Sequence, residues 1–324
     1  MCDVLASEEI AGPGLDELRG RFDVVTRPDL WRDQASLAEQ LAGCRALIVR
    51  NQTRVTRELI RDAGGLQIIA RAGAGLDNVD VAAASDAGIV VSYAPDQNAL
   101  SVAELGMGML LALARRLVAA DRSTRGGNWA RQAFTGVELY GKTLGVVGFG
   151  RIGFLLAMRA RAFGMHVLAH DPFVSPDAVT IVESGAELVS VDDLLARADV
   201  VSCHLPSTPE TRGFFSHERF AQMKSSALFL NLARGEVVDE PALVEALGSR
   251  RIAGAGLDVR AVEPPVTSPL NEMDNVILTP HIAAFTVEAQ ARVVAAVCRD
   301  VAAVLDGRPA IYHANFPTPR PAGA

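Results

Sequence analysis

Apolar, β-branched runs alternate with helical patterns along almost the whole chain, which is typical of parallel α/β architecture. Two series of strands are predicted, with a long helix over residues 101–125 between them and a last helix over residues 286–306. The predicted strands are Asp3–Ser7, Phe22–Thr26, Ala46–Arg50, Leu66–Ala70 and Ile89–Ser92 in the first series, and Thr143–Gly148, His166–His170, Val200–His204, Ala227–Asn231, Ala253–Asp258 and Asn275–Thr279 in the second.

Length and charge narrow the class of protein. A chain of 324 residues is near the practical limit for a single core, so two domains are expected. The net charge of −7 has the wrong sign for a nucleic-acid binder, and 49% hydrophobic residues exclude a disordered chain. Because the last helix directly follows the second strand series, we expect it to return to the first domain. The predicted domains are residues 1–98 with 286–324, and residues 99–285. The proline-rich segment from Arg308 is predicted to be extended and partly disordered.

The cysteines and the chain start bear on the cellular compartment. No metal-ligand spacing or disulfide framework is evident, so four reduced thiols in a cytoplasmic protein are expected at Cys2, Cys44, Cys203 and Cys298. The first residues lack the pattern of a signal peptide. The apolar stretch Leu105–Ala114 is too short to cross a membrane, which takes about 20 residues, and is predicted to be a buried helix.

A glycine-rich turn follows the first strand of the second series. Gly148, Gly150 and Gly153 have Gly-x-Gly-x-x-Gly spacing between a predicted strand and a predicted helix over residues 151–163. The first glycine permits a tight turn, the second allows close approach of a pyrophosphate, and the third allows the helix to pack on the strand. Amides at the helix start attract the anion. We therefore expect Phe149, Arg151 and Ile152 also to contact a dinucleotide.

An acidic residue at the end of the next strand strengthens this interpretation. Asp171 ends the run from Val167, at about the spacing expected for a residue that binds the adenosine ribose hydroxyls. Its charge would repel a 2′-phosphate, and no arginine follows it. The sequence therefore predicts NAD rather than NADP as the cofactor.

The strands of the second series repeatedly end in polar or ionisable residues. In a doubly wound sheet these ends meet at one edge, where ligands bind. Arg234 can hold a carboxylate in a two-point fork, and His281 suits proton transfer near neutral pH. Glu263 lies on a loop with two following prolines and could pair with the imidazole. Together they form an anion clamp, an acid/base and a partner for it, as hydride transfer to a 2-keto acid needs.

These residues resemble the D-isomer-specific 2-hydroxyacid dehydrogenase family, most closely its phosphoglycerate dehydrogenase-like branch. The resemblance covers nearly the whole chain and also rests on residues 71–80, 101–104, 231–235, 256–259 and 279–281. It implies a Rossmann cofactor domain inserted into a flavodoxin-like substrate domain, both doubly wound α/β sheets. It also implies that Arg234 binds the substrate carboxylate and keto oxygen, while His281, supported by Glu263, exchanges the proton.

The resemblance implies further contacts. Asp258 would face the nicotinamide carboxamide, and the Ala72–Gly75 loop would help to bind the substrate carboxylate. A homodimer formed through the cofactor domains is expected, with no nucleic-acid or membrane partner and no metal. The further residues assigned to the cofactor are Ser101, His204, Pro206 and Ala233, and those assigned to the substrate include Ala74 and Gly75.

The substrate is less well defined. Arg50, Arg54 and Arg71 place several cations in the first domain, as a second anionic group such as phosphate or sulfonate would require. Surface arginines are the alternative for some of them. Asn51-Gln52 departs from the smaller pair of the phosphoglycerate branch, so sulfolactate, glycerate and lactate remain alternative substrates.

Other proteins share this scaffold. Formate dehydrogenases carry glutamine where Glu263 stands, so Glu263 argues against that activity. L-lactate and malate dehydrogenases have their glycine turn near the N-terminus, whereas Gly148 lies in the middle of this chain, which argues against that class. A binding protein that senses NAD, like the C-terminal binding protein corepressors, is an alternative of another class.

Overall fold

The computed structural model describes residues 2–322. Its strands are β1 (Val4–Ala6), β2 (Val24–Thr26), β3 (Ala46–Val49), β4 (Ile68–Arg71), β5 (Val90–Tyr93), β6 (Thr143–Val147), β7 (His166–His170), β8 (Glu187–Leu188), β9 (Val200–Cys203), β10 (Leu228–Asn231), β11 (Gly254–Leu257) and β12 (Val276–Leu278). Its α-helices are α1 (Pro13–Arg19), α2 (Gln34–Leu41), α3 (Arg57–Asp62), α4 (Val81–Asp86), α5 (Ala99–Ala114), α6 (Leu117–Arg125), α7 (Arg151–Ala162), α8 (Val179–Ser184), α9 (Val191–Arg197), α10 (His217–Gln222), α11 (Glu240–Gly248) and α12 (Val287–Leu305).

The chain divides into two compact units. The first combines Met1–Asn98 with Phe285–Ala324, and the second is Ala99–Ala284. The predicted limits lie at or next to these positions, while the substrate and cofactor roles given to the two domains remain predictions.

Each unit is built on an all-parallel sheet. The strand order β2-β1-β3-β4-β5 of the first unit is the flavodoxin-like order. The second unit has the order β12-β11-β10-β9-β6-β7-β8, a Rossmann arrangement with β6 at the reversal of strand order and β12 as an additional edge strand. Strands with apolar side chains on both faces, such as Ala46–Val49, require helices on both sides. The predicted fold class is confirmed.

The last helix belongs to the first unit because its apolar stripe is buried there. Val293, Val297 and Val301 are at most 2% exposed and lie in one cluster with residues of β1, β3 and β4. Thr286 begins the helix, since its hydroxyl accepts a hydrogen bond from the Ala289 N–H at 3.1 Å. The helix predicted from Thr286 to Asp306 is confirmed.

The single helix predicted over residues 101–125 is wrong. Arg116 adopts a left-handed conformation (φ 52°) and separates α5, which has a buried face, from α6, in which no residue is buried. The Val137 N–H donates to the Ala114 carbonyl at 2.9 Å, so the returning chain satisfies the end of α5. The stretch Leu105–Ala114 lies in α5, and no helix among the described residues is long and apolar enough to cross a membrane.

The prediction of partial disorder after Arg308 is also wrong, because the chain is ordered by specific contacts as far as Ala322, the last described residue. The Asn315 amide oxygen accepts from the Val91 N–H at 3.0 Å, and its amide nitrogen donates to the Ile89 carbonyl at 2.8 Å. Phe316 is 6% exposed in the core of the first unit. Specific hydrogen bonds to β5 and one buried ring therefore order a segment whose proline content indicated disorder.

The expectation of four reduced thiols is wrong for one pair. Cys2 and Cys44 form a disulfide with a Cα–Cα distance of 5.3 Å, whereas Cys203 and Cys298 are buried free thiols. The two bonded cysteines precede β1 and β3, which are neighbours in the sheet. Their separation along the sequence concealed this proximity.

Candidate active site

The glycine turn joins β6 to the start of α7. Gly148 has a φ of 91°, and a Cβ there would lie 2.9 Å from the backbone of His204. A Cβ on Gly153 would lie 2.8 Å from the Val146 side chain, so this glycine allows the close helix–strand contact. Gly150 begins the helix and faces open space. Free amides at the start of a twelve-residue helix, with room in front of them, fit a dinucleotide pyrophosphate.

Asp171 lies directly after β7, beside this turn. One carboxylate oxygen accepts from the Phe149 N–H at 2.8 Å and the other from the Phe173 N–H at 2.9 Å. Each oxygen retains a further lone pair that can accept a ribose hydroxyl. The structure thus holds the predicted ribose-binding carboxylate against the predicted phosphate-binding turn.

His204 follows β9 and stays neutral. Burial lowers the pKa of its imidazole to about 4. One ring nitrogen, Nε2, lies 2.9 Å from the Ser202 hydroxyl, and Nδ1 has no hydrogen-bond partner among the described residues. A neutral ring next to Gly148 adds no charge at the anion site.

Arg234 extends from a turn that its neighbour Asn231 organises. The Asn231 amide donates to the Arg234 carbonyl at 2.9 Å and accepts from the Ala233 N–H at 3.1 Å. Arg234 Nη1 donates to the Ala233 carbonyl at 2.7 Å, and the side chain is half-buried. These hydrogen bonds fix the backbone from which the Arg234 side chain extends, just after β10.

Asp258 holds the turn that carries His281. The Asp258 carboxylate, 1% exposed, accepts from the Thr279 hydroxyl at 2.5 Å, from the Ile282 N–H at 2.9 Å and from the Ala283 N–H at 2.8 Å. The His281 N–H also donates to the Asp258 carbonyl at 2.8 Å. His281 has a φ of 56°, which is uncommon outside glycine and persists only where surrounding contacts enforce it. The predicted nicotinamide contact of Asp258 remains a prediction.

His281 and Glu263 form the predicted pair. Nδ1 of His281 lies 2.6 Å from Oε2 of Glu263, and about a third of each side chain is exposed. With a proton on Nδ1 for this hydrogen bond, Nε2 is the nitrogen left to exchange a proton with a ligand.

Several groups determine the ionisation of Glu263. Burial alone would raise the pKa of its carboxyl, but hydrogen bonds from His281 and the Arg260 N–H, together with the charges of His281 and Arg234, hold that pKa below its ordinary value. Glu263 is therefore an anion near neutral pH. All three predicted catalytic residues lie in the second unit, together with the glycine turn.

The predicted substrate-binding arginines lie in the first unit and differ in their surroundings. Arg50, directly after β3, bonds to the Gln290 amide and the Glu9 carbonyl and stacks over Phe285, with 4.9 Å between its Cζ and the ring centroid. Burial lowers the pKa of Arg50, opposed by the charges of Glu8 and Glu9. This arginine is thus already held by its own unit.

Arg71 ends β4 and is half-buried, and its guanidinium occupies the space that a Cβ on Gly73 would fill. Arg54 is exposed and has no ion-pair partner among the described residues. Arg50 directly follows β3 and Arg71 is the last residue of the neighbouring strand β4, while Arg54 lies further along the loop after β3.

The other predicted contacts differ in accessibility. Ser101 is 4% exposed inside α5, Pro206 is exposed, and Phe149 is buried and donates its N–H to Asp171. The remaining predicted residues are at least partly accessible: Arg151 and Ile152 at the start of α7, Ala233 in the turn after β10, and Gly75 in the loop after β4, where the neighbouring Ala74 is buried.

Sequence reasoning missed Arg260, whose N–H donates to Glu263 Oε1 at 3.0 Å. The available signal was an arginine two residues after the predicted strand Ala253–Asp258 and three residues before Glu263.

The fold and these strand ends are typical of a dinucleotide-binding α/β protein, and comparison with known proteins identifies its family. Residues 107–283 match the family model for D-isomer specific 2-hydroxyacid dehydrogenase, NAD binding domain. The chain belongs to the D-isomer-specific 2-hydroxyacid dehydrogenase family, which confirms the resemblance found in the sequence.

Individual relatives agree with this assignment. The chain is 42% identical over 320 residues to D-3-phosphoglycerate dehydrogenase of Archaeoglobus fulgidus, covering 98% of this chain and 60% of the relative. It is 47% identical over 307 residues to D-3-phosphoglycerate dehydrogenase of Mycobacterium tuberculosis, covering 95% of this chain and 56% of the relative. A solved structure of a Thermus thermophilus protein superposes with a TM-score of 0.90 at 38% identity, covering 96% and 99% of the two chains. The chain thus spans less than two thirds of the two curated relatives.

Proposed function

We propose that the chain transfers a hydride between NAD and C2 of a small D-2-hydroxy acid, or the corresponding 2-keto acid in the reverse direction. The observation that carries this proposal is the 2.6 Å contact between His281 and an anionic Glu263, in the same unit as Arg234 and the glycine turn.

The residues divide the chemistry between them. During oxidation, His281 Nε2 accepts the hydroxyl proton as the C2 hydride leaves, and Glu263 stabilises the resulting imidazolium. Arg234 holds the substrate carboxylate and polarises the developing keto oxygen. NAD, bound at the glycine turn, would supply the hydride acceptor.

The proposed substrate carries a second anionic group, as 3-phosphoglycerate does. Support comes from the exposed Arg54 and from relatives named D-3-phosphoglycerate dehydrogenase. We propose Arg50, Arg54, Arg71, Ala74 and Gly75 as substrate contacts in the first unit. A panel of 2-hydroxy acids assayed with NAD, with NADH formation as the readout, tests both the dehydrogenase activity and the choice of substrate. Turnover of 3-phosphoglycerate in preference to sulfolactate, glycerate and lactate is expected, and no turnover of any 2-hydroxy acid would contradict the enzymatic proposal.

NAD is preferred over NADP in this proposal. A 2′-phosphate on the ribose would bring negative charge to the proposed partner Asp171, whose carboxylate oxygens accept hydrogen bonds from two backbone N–H groups and would accept ribose hydroxyls in the same way. Equal KM values for the two cofactors in the same assay would contradict the preference.

A homodimer through the second unit is also proposed. Helix α6 buries none of its residues, and five large apolar side chains on α6 and the segment after it are 47% to 80% exposed, namely Leu117, Val118, Trp129, Val137 and Tyr140. Such a patch favours a protein partner, and a second copy is the occupant that the family resemblance implies. Sedimentation of the protein as a dimer, and of Leu117→Glu as a monomer, is expected.

A cytoplasmic location is the last part of the proposal, and the Cys2–Cys44 bond bears on it because disulfides are rare in reducing compartments. Cell fractionation should recover the protein together with cytoplasmic markers, and recovery in an oxidising compartment, where such a disulfide is ordinary, would contradict this part of the proposal.

A further inference from the structure

Arg260 is a nearly buried cation in the loop that carries Glu263. Its side chain is 9% exposed and forks onto Glu240, the first residue of α11, with Nε–Oε2 and Nη2–Oε1 distances of 3.1 and 2.7 Å. Nη2 also donates to the Ser268 hydroxyl at 2.9 Å. A charge with this little exposure requires such partners, since an unpaired buried cation is costly.

These contacts join the two ends of one loop. Arg260 begins the segment and Ser268 ends it, so a single guanidinium links both ends to each other and to α11 through Glu240. Between the two ends, the segment from Ala261 to Val266 is exposed. Glu263 lies inside this otherwise exposed segment, and its position therefore depends on how the ends are fixed.

The main chain of the same residue contacts Glu263 directly. The Arg260 N–H donates to Oε1 at 3.0 Å, while Oε2 receives His281 Nδ1. The turn that carries Arg234 packs against the Arg260 backbone, because a Cβ on Gly235 would overlap the Arg260 carbonyl. The backbone at Arg260 thus contacts both the arginine turn and the carboxylate that supports the imidazole.

We propose that Arg260 is a positioning residue whose guanidinium, held by Glu240 and Ser268, fixes the loop that keeps the Glu263 carboxylate on His281. Its catalytic consequence rests on the proposed function, but the positioning itself does not. The charged groups that face Glu263 are His281 and Arg234, whereas the Arg260 side chain is directed to Glu240. Arg260 therefore acts through geometry rather than through its own charge.

Two variants test this inference. Arg260→Met removes the tie but leaves Glu240 without its partner, and such a change can prevent folding. The double variant Arg260→Met/Glu240→Met removes both charges, a replacement that cores often tolerate. Arg197→Met is the matched control, because Arg197 also forks onto a carboxylate, Glu187, but on an exposed surface.

The first readout needs neither substrate nor NAD. The Glu263 carboxyl, followed by carbon-13 NMR and assigned with Glu263→Gln, should titrate below its ordinary pKa of 4.5 in the native protein and move up toward 4.5 in the double variant. Arg197→Met should leave the titration unchanged. A double variant that folds and titrates like the native protein would overturn the proposal.

The second readout is kinetic. The double variant should lose between about 10-fold and 100-fold in kcat with little change in KM, as expected for a misplaced catalytic group. Because Arg260 acts through Glu263, adding Glu263→Gln should lower kcat of the double variant by a much smaller factor than it lowers kcat of the native protein. Fully additive losses, or a lowered Tm with native kcat, would contradict positioning. Absence of turnover in the native protein, with the titration as expected, would contradict the proposed function alone.

Discussion

Both units are built on all-parallel sheets, but they differ in how firmly the polar side chains after their strands are held in place. In the second unit, buried Asp258 fixes the turn of His281, and the Arg260 loop carries Glu263 to within 2.6 Å of the ring. In the first unit, Arg50 is bound to its own unit by Gln290 and Phe285, whereas Arg54 is exposed. Parallel sheets alone therefore do not determine chemistry, which depends on side chains that are fixed and still accessible.

The difference implies a division of effects. Changes at the fixed pair of the second unit should reduce turnover, because that pair handles the reacting proton. Changes at the exposed arginine of the first unit should alter the binding of particular substrates and leave the chemical step intact.

Replacing the imidazole should have the largest effect. In His281→Asn the side chain can still hydrogen-bond but cannot exchange a proton, so kcat should fall by about 10²- to 10⁴-fold. Steady-state kinetics with the best 2-hydroxy acid from the panel measures this. His217→Asn is the matched control, since His217 also faces a carboxylate, Glu245, at 3.3 Å on an exposed surface. Unchanged turnover in His281→Asn would remove its acid/base role.

Replacing the carboxylate should have a smaller effect. Glu263→Gln removes the oxygen that holds Nδ1 of His281, so the ring is less well oriented and kcat should fall by up to about 10²-fold in steady-state assays. Glu245→Gln, at the exposed His217 pair, should leave kcat unchanged. Native kcat in Glu263→Gln would separate Glu263 from the proton transfer.

The same substitution should alter acid stability. Because the folded pKa of Glu263 is lowered, its ionised form contributes stability that is fully present above the ordinary value of 4.5 and is lost as the pH falls through the lower folded pKa. The Tm difference between native protein and Glu263→Gln should therefore be constant above pH 4.5 and shrink below it.

The polar residues at the end of a single strand were predictable from the sequence, whereas contacts between segments that are far apart in the sequence were not. The ends of β7, β10 and β11 showed Asp171, Arg234 and Asp258 directly, because a strand end is a local feature. The Arg260–Glu240 tie joins residues of two different elements, and the Cys2–Cys44 bond joins the starts of β1 and β3. Neither leaves a periodic signal.

Two of the wrong predictions, the single long helix and the disordered tail, share a cause, since each was made from local composition whereas the outcome depends on tertiary contacts. Residues 115–116 contain neither glycine nor proline, yet the helix breaks there because the burial of α5 ends and the returning chain satisfies Ala114. The tail after Arg308 is rich in proline, yet Asn315 and Phe316 bind it to the first unit. Local propensity is overridden where tertiary contacts exist.

The smallest expected effect tests the first unit. If the exposed Arg54 binds a second anionic group, Arg54→Ala should raise KM for 3-phosphoglycerate by about tenfold, or about 1.4 kcal/mol, and leave kcat near the native value. KM for glycerate and lactate should not change, because these substrates lack that group. Arg57→Ala is the matched control, since Arg57 is exposed nearby but already pairs with Asp86 at 3.0 Å. An equal rise in KM for both kinds of substrate would show that Arg54 does not recognise a second anion, and the contrast between the two units would then rest on the second unit alone.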